Sequence, residues 1–280
     1  MSILYLMTIL ITMAGQSIAK KEYAKRGTRS VFLFNMVSAL AAVVFFILTS
    51  KEITWNSRLI PYSFFFALSY AASCVFGILA VATGPLSLTS LIVSYSLLIP
   101  TVYGLTFLKD PIGVGLIPGI FILLISLALI NKKDEKIEIQ PKWILFVSLS
   151  AIGNGMCSTV QKIQQVEFGG DYKNEFMIIA LLMVCLLFAV IAFFKKETVG
   201  SEIKISLICG GMFGVLNGIM NLFVMILSGK MPVSLMFPVI SAGQIIVTYL
   251  MAKTIYKEIL SRKQLYGLIA GIISIVFLNI

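Results

Sequence analysis

Residues 85–119 read PLSLTSLIVSYSLLIPTVYGLTFLKDPIGVGLIPG, and residues 232–267 read PVSLMFPVISAGQIIVTYLMAKTIYKEILSRKQLYG. Pro85, Ser87, Ser94 and Thr101, each moved by 147 positions, fall on Pro232, Ser234, Ser241 and Thr248. One further position of slack brings Asp110 onto Glu258 and Gly119 onto Gly267, so each copy ends in an acid followed nine residues later by glycine. One shared serine carries no weight in a serine-rich chain. An ordered set ending in the same acid-to-glycine spacing indicates a duplication. The copies occupy the last parts of two halves, 1–131 and 143–280.

The surroundings of the repeat fix the fold class. The chain has 280 residues, 59% of them hydrophobic and 12% charged, with a mean hydropathy of +1.01. A soluble domain of this size does not need so much apolar residue. The apolar residues come in ten runs, at about 3–19, 31–50, 59–83, 85–108, 112–131, 143–165, 176–194, 205–228, 232–255 and 264–280. Most approach the roughly 20 residues that cross the hydrocarbon core as a helix. In lipid each backbone amide needs a partner within its own segment, so each run reads as a helix. The expectation is an all-α integral membrane protein, multi-pass in the cell membrane. Its ten transmembrane helices form a 5+5 inverted repeat around a central cavity. Five helices per half is an odd number, so the second half enters the bilayer from the opposite side.

Helix 1 resembles a signal peptide at Ser17-Ile18-Ala19, but no Lys or Arg precedes its apolar run. It also has a counterpart. Thr8, Thr12, Gln16 and Lys20, moved by 142, land on Ser150, Asn154, Ser158 and Lys162. It is therefore read as the first helix of the first half.

The net charge of +10 lies almost wholly between apolar runs, which points to topology and lipid headgroups and not to nucleic acid. Loops after the odd-numbered helices carry 16 Lys and Arg, the others 6. The positive-inside rule places the first set in the cytoplasm and both termini outside. There is no histidine, and the four cysteines form no Cys-x-x-Cys pair, so no metal site, disulfide framework or cofactor is expected. No Asp or Glu falls in mid-run. An intramembrane enzyme needs a nucleophile with a base, a metal site or an acidic pair. With no histidine and no mid-run acid only a Ser–Lys pair is left, and no Lys lies near the centre of a run, so the chain is not read as an enzyme. The alternatives to a solute transporter are a lipid-headgroup flippase and, behind it, an intramembrane enzyme.

Polar residues inside lipid-length helices mark faces turned inward. Gln16, Asn154, Asn217, Asn221 and Gln244 carry amides with four hydrogen-bonding sites to satisfy. With Ser94, Ser158 and Ser241, and with the rings of Tyr70 and Tyr95, they are the candidate contacts for a small-molecule substrate. Lys20 and Lys162 are candidate charges at the two mouths of the pathway. Gly210, Gly214 and Gly218 form two overlapping Gly-x-x-x-Gly steps on helix 8, read as a close helix contact. Gly115/Gly119 and Gly267/Gly271 repeat the spacing on helices 5 and 10, where a homodimer contact is an option. Membrane lipids are the other expected partner.

The two copies, Pro85-Leu86-Ser87-Leu88 through Asp110 and Gly119, and Pro232-Val233-Ser234-Leu235 through Glu258, Gly267 and Gly271, resemble the EamA-type repeat of the drug/metabolite transporter superfamily. The resemblance covers essentially the whole chain. It implies a 5+5 inverted-repeat fold and export or uptake of small metabolites, without naming the cargo. Leu123 stands where the first copy of that repeat usually has glycine. Pro100 matches its mid-helix proline, which the second copy lacks. The resemblance implies termini in the cytoplasm, opposite to the charge count, which is retained here. The lack of a mid-membrane carboxylate favours facilitated diffusion or exchange over strong proton coupling.

Overall fold

The structure is a computed structural model that describes residues 2–25, 31–83, 92–93, 96, 98–110, 113–130, 141–195, 203–254 and 262–278. The described residues hold helices and no strand. In chain order the helices are α1 (Ser2–Lys25), α2 (Val31–Thr49), α3 (Leu59–Thr83), α4 (Leu98–Thr106), α5 (Leu116–Ile130), α6 (Pro141–Glu167), α7 (Lys173–Phe194), α8 (Ile203–Ser228), α9 (Val233–Thr254) and α10 (Arg262–Leu278). Five stretches are long and apolar enough to cross a membrane: α2, Leu59–Gly77 within α3, α6, α7 and α8. The shortest of these have 19 residues, a span of about 28 Å at the helical rise. Shorter apolar stretches lie at Ile3–Gln16, Leu116–Ser126 and Leu265–Ser274. By length and composition this is a membrane protein.

The chain forms two compact units, residues 1–71 with 163–229, and 72–162 with 230–280. Each unit draws on both halves of the sequence. Two of the three boundaries fall inside α3 and inside α6, and the third lies between α8 and α9.

In the first unit α8 packs along α2 and α1, and α2 packs along α7. The glycine steps on α8 explain the first contact. A Cβ on Gly210 would sit 3.1 Å from the Phe34 carbonyl, and one on Gly218 would sit 2.6 Å from the Phe45 ring. A Cβ on Gly214 would collide with the Ser38 carbonyl. Only a stripe without side chains admits this approach. A π-helical turn at Ser206–Gly210 opens α8 beside Tyr23, Phe34 and Phe213, which form an aromatic cluster. Ser63 donates to the Phe176 carbonyl at 3.2 Å, joining α3 to α7. The residues between α2 and α3 are braced on the start of α7. Asn174 donates to Ser50 Oγ at 3.0 Å, and Thr54 donates through both its N–H and its hydroxyl to Glu175.

In the second unit α5 lies on α10, and α9 contacts α4 and α10. Ser126 on α5 donates to the Gly267 carbonyl of α10 at 2.6 Å, and Ser274 on α10 donates to the Gly119 carbonyl of α5 at 2.8 Å. As numbers rise along α5 from 119 to 126, partners fall along α10 from 274 to 267, so the two helices are antiparallel. The glycines expected at a helix contact are used here, within the chain. A Cβ on Gly271 would sit 3.0 Å from Ser126 Oγ, and one on Gly115 would strike the Phe277 carbonyl. The Pro-x-Ser-Leu segment of the repeat is described only in its second copy. There the Pro232 carbonyl accepts the N–H groups of Leu235 and Met236, opening the first turn of α9. Pro85, Ser87 and Glu258 lie outside the described residues.

Candidate functional site

Three buried amides on α1 and α8, inside the first unit, come together. Gln16 lies on α1, and Asn217 and Asn221 lie four residues apart on one face of α8. All three are buried, at 8%, 6% and 6% exposure. An amide is costly to bury unless it is hydrogen-bonded, and these bond to one another. Asn221 Nδ2 donates to the Asn217 backbone carbonyl and to Asn217 Oδ1, both at 2.9 Å. Asn217 Nδ2 donates to Gln16 Oε1 at 3.2 Å. Gln16 Nε2 donates to the thioether sulfur of Met220 at 3.5 Å. Close approach of α1 to α8 is set at Gly15, where a Cβ would meet Leu216 Cδ1 at 2.7 Å. Thr12, one turn before Gln16, is buried but turns its hydroxyl to its own helix, at the carbonyls of Thr8 and Ile9. Tyr70, in the same unit, is half-buried and stacks on Phe66 with ring centroids 6.0 Å apart.

The second unit holds a separate polar group. Asn154 on α6 is half-buried and donates to Ser96 Oγ at 2.7 Å. The adjacent Gly155 allows this approach, since a Cβ there would lie 2.6 Å from the Ser96 carbonyl. Ser158, one turn along α6, is half-buried. Ser150 donates to the Ser73 carbonyl of α3 at 3.0 Å. Ser241 on α9 is buried at 4% exposure. Lys162 is also buried, at 8%, with Asp110 in electrostatic reach. The Asp110 carboxylate holds the start of a helix, since its Oδ2 accepts the Ser234 N–H at 3.1 Å in the first turn of α9. A helix N-terminus leaves such N–H groups without intrahelical partners and favours negative charge beside them. Gly104 makes room for the carboxylate, because a Cβ there would lie 2.6 Å from Asp110 Oδ2.

Of the residues singled out from the sequence, the structure thus brings together Gln16, Asn217 and Asn221. It places Tyr70 elsewhere in the same unit, and Asn154, Ser158, Ser241 and Lys162 in the other. Ser94 and Tyr95 lie outside the described residues, as do the side chains of Lys20 and Gln244. Two partners do not stand out in the sequence: Met220, which meets Gln16, and Ser96, which meets Asn154. Nor does Pro238, which lies inside α9 and removes the N–H that would otherwise bond the Ser234 carbonyl. Among the described residues no group of His, Cys, Asp and Glu is placed to hold a metal ion.

No family model matches the chain, and no curated protein matches it in sequence. A protein of known crystal structure superposes on it with a TM-score of 0.82 at 11% identity, over 99% of this chain and 95% of its own length. At that identity the likeness is one of fold.

Proposed function

We propose that the protein is a multi-pass membrane transporter for a small polar or amphipathic metabolite. On this reading it has ten spans arranged as a 5+5 inverted repeat of EamA-like type and works by alternating access. The observation that carries the reading is the pair of bonds between α5 and α10. Ser126 and Ser274 are 148 positions apart, and so are Gly119 and Gly267. The two contacts are therefore one contact made twice, as a two-fold axis across an antiparallel pair requires. Counterpart helices that run antiparallel are what a duplication with an odd number of spans produces.

The polar clusters supply the second support. Gln16, Asn217 and Asn221 place buried amides where an apolar side chain would pack at less cost, and the half-buried Asn154 separately pairs with Ser96. Ser94, Tyr95, Ser158, Tyr70, Ser241 and Gln244 remain proposed substrate contacts, and Lys20 and Lys162 proposed mouth charges. The transport is facilitative or an exchange, since no carboxylate interrupts an apolar run. The test is uptake into liposomes holding the purified protein, of solutes that raise its melting temperature, with and without a pH gradient. Protein-dependent equilibration without a gradient is expected. Flux absent for every stabilising solute, or steep accumulation driven by the gradient, overturns the corresponding part of the reading.

A further inference from the structure

The geometry points to Gln16 Nε2 as a recognition donor for an uncharged carbonyl oxygen on the substrate, with the Met220 thioether as the contact which that oxygen would displace. This rests on the transporter reading and sharpens it to a substrate class.

The orientation of an amide is set by its partners, and here it propagates from a fixed point. A backbone carbonyl only accepts, so the bond to the Asn217 carbonyl identifies the Nδ2 end of Asn221. That same nitrogen faces the Asn217 side chain, which must present Oδ1 to it. Asn217 therefore turns Nδ2 to Gln16, and Gln16 must present Oε1. The remaining end of Gln16, Nε2, is then directed at Met220. All three donations run the same way, from Asn221 through Asn217 to Gln16. Aligned donors polarise one another and strengthen the last one in the series.

That last donor has the poorest partner. A thioether is a weak acceptor, and 3.5 Å is a loose contact beside the 2.9 Å bonds at the start of the series. Gln16 is more than nine-tenths buried, so bulk water does not make up the difference. Met220 is only half-buried, and its unbranched side chain moves at little cost. A ligand oxygen that displaces the sulfur gains a polarised N–H and gives up a weak contact. The series offers neutral donors only. An anion there would keep most of its desolvation cost, so the fitting group is an amide, ketone or ring carbonyl.

Two variants and one panel test this. Gln16→Met keeps length and removes both donors. Met220→Gln supplies a strong acceptor from the chain itself, at the position the ligand oxygen would take. A thermal-shift panel would contain uncharged amides and ring carbonyls, carboxylates, and amines, applied to the detergent-purified full chain. Stabilising solutes should come from the uncharged carbonyl group. Their shift should vanish in Gln16→Met, and Met220→Gln should melt higher than the native protein and respond to none of them. The proposal is overturned if stabilisation comes from carboxylates or amines alone, if no solute stabilises, if Gln16→Met keeps the shift, or if Met220→Gln melts lower. Flux in liposomes separates the two levels. Binding that depends on Gln16 without any flux sinks the transporter reading alone. Flux untouched by Gln16→Met sinks the recognition role alone.

Discussion

Ser126 and Ser274 each donate to the carbonyl seven residues before the other, Gly267 for the first and Gly119 for the second. Both hydroxyls are fully buried. Seven residues are two helical turns, about 10 Å along the axis, so the two bonds clamp α5 to α10 at separate heights. Equivalence of the bonds has an energetic consequence. Ser126→Ala and Ser274→Ala should each lower stability by about 0.5–1.5 kcal/mol, the usual worth of such a bond within a membrane protein. The two costs should match, and the double variant should show nearly their sum, since the sites are well separated. Reversible unfolding in mixed micelles measures this. Costs that differ several-fold would mean that the likeness of the two contacts is only geometric.

The glycines of α8 separate tolerance from need along one helix. A Cβ on Gly214 would run into the Ser38 carbonyl and lie 2.8 Å from Ala41 Cβ, whereas one on Gly211 would meet nothing within 4 Å. Backbone and a methyl carbon have no rotamer by which to withdraw. Gly214→Ala is expected to cost about 1–3 kcal/mol through overpacking, while Gly211→Ala should be neutral or stabilise by up to about 1 kcal/mol. Melting temperatures of the two variants, compared at one detergent concentration, provide the check. Equal behaviour would contradict the packing of α8 on α2.

The Asp110 carboxylate ties the loop after α4 to the first turn of α9. Asp110→Ala leaves the Ser234 N–H without its acceptor and should cost about 0.5–2 kcal/mol, as loss of a helix cap does. Asp110→Asn keeps an acceptor oxygen and loses only the charge, so it should cost less than the alanine change. Gly104→Ala should reproduce the alanine defect by pushing the carboxylate away. Protease sensitivity of the 231–235 region, followed by mass spectrometry, reads the loosening directly. Asn as damaging as Ala would assign the role to charge beside Lys162 in place of capping.

Much of this was legible in the sequence, for a physical reason. Lipid demands long apolar runs, and long runs mark helices; the expected 59–83 and 31–50 segments fall on α3 and α2 to within a residue. The first run ends at residue 19 in composition, yet α1 continues to Lys25, because Ala, Lys and Glu prolong a helix beyond the point where apolar residues stop. Pairing was less legible. Nothing in the order of the runs shows that α2 lies on α7, or that each compact unit mixes both halves. Ser126 and Ser274 are two among many serines, although the repeat offset connects them. Met220 reads as one more apolar residue, since its role depends on which end of Gln16 faces it. The amides themselves stand out, because buried amides are costly wherever they occur.

The transporter reading depends above all on counterpart segments crossing the bilayer in opposite directions. Val114 and Arg262 are 148 positions apart, both exposed, just before α5 and at the start of α10. In a full-length protein with its four cysteines replaced, V114C and R262C would each be treated with a membrane-impermeant maleimide, in intact cells and in opened membranes. Labelling of V114C in intact cells is expected, and of R262C only after the membrane is opened. Labelling of both positions from one and the same side would contradict the inverted repeat.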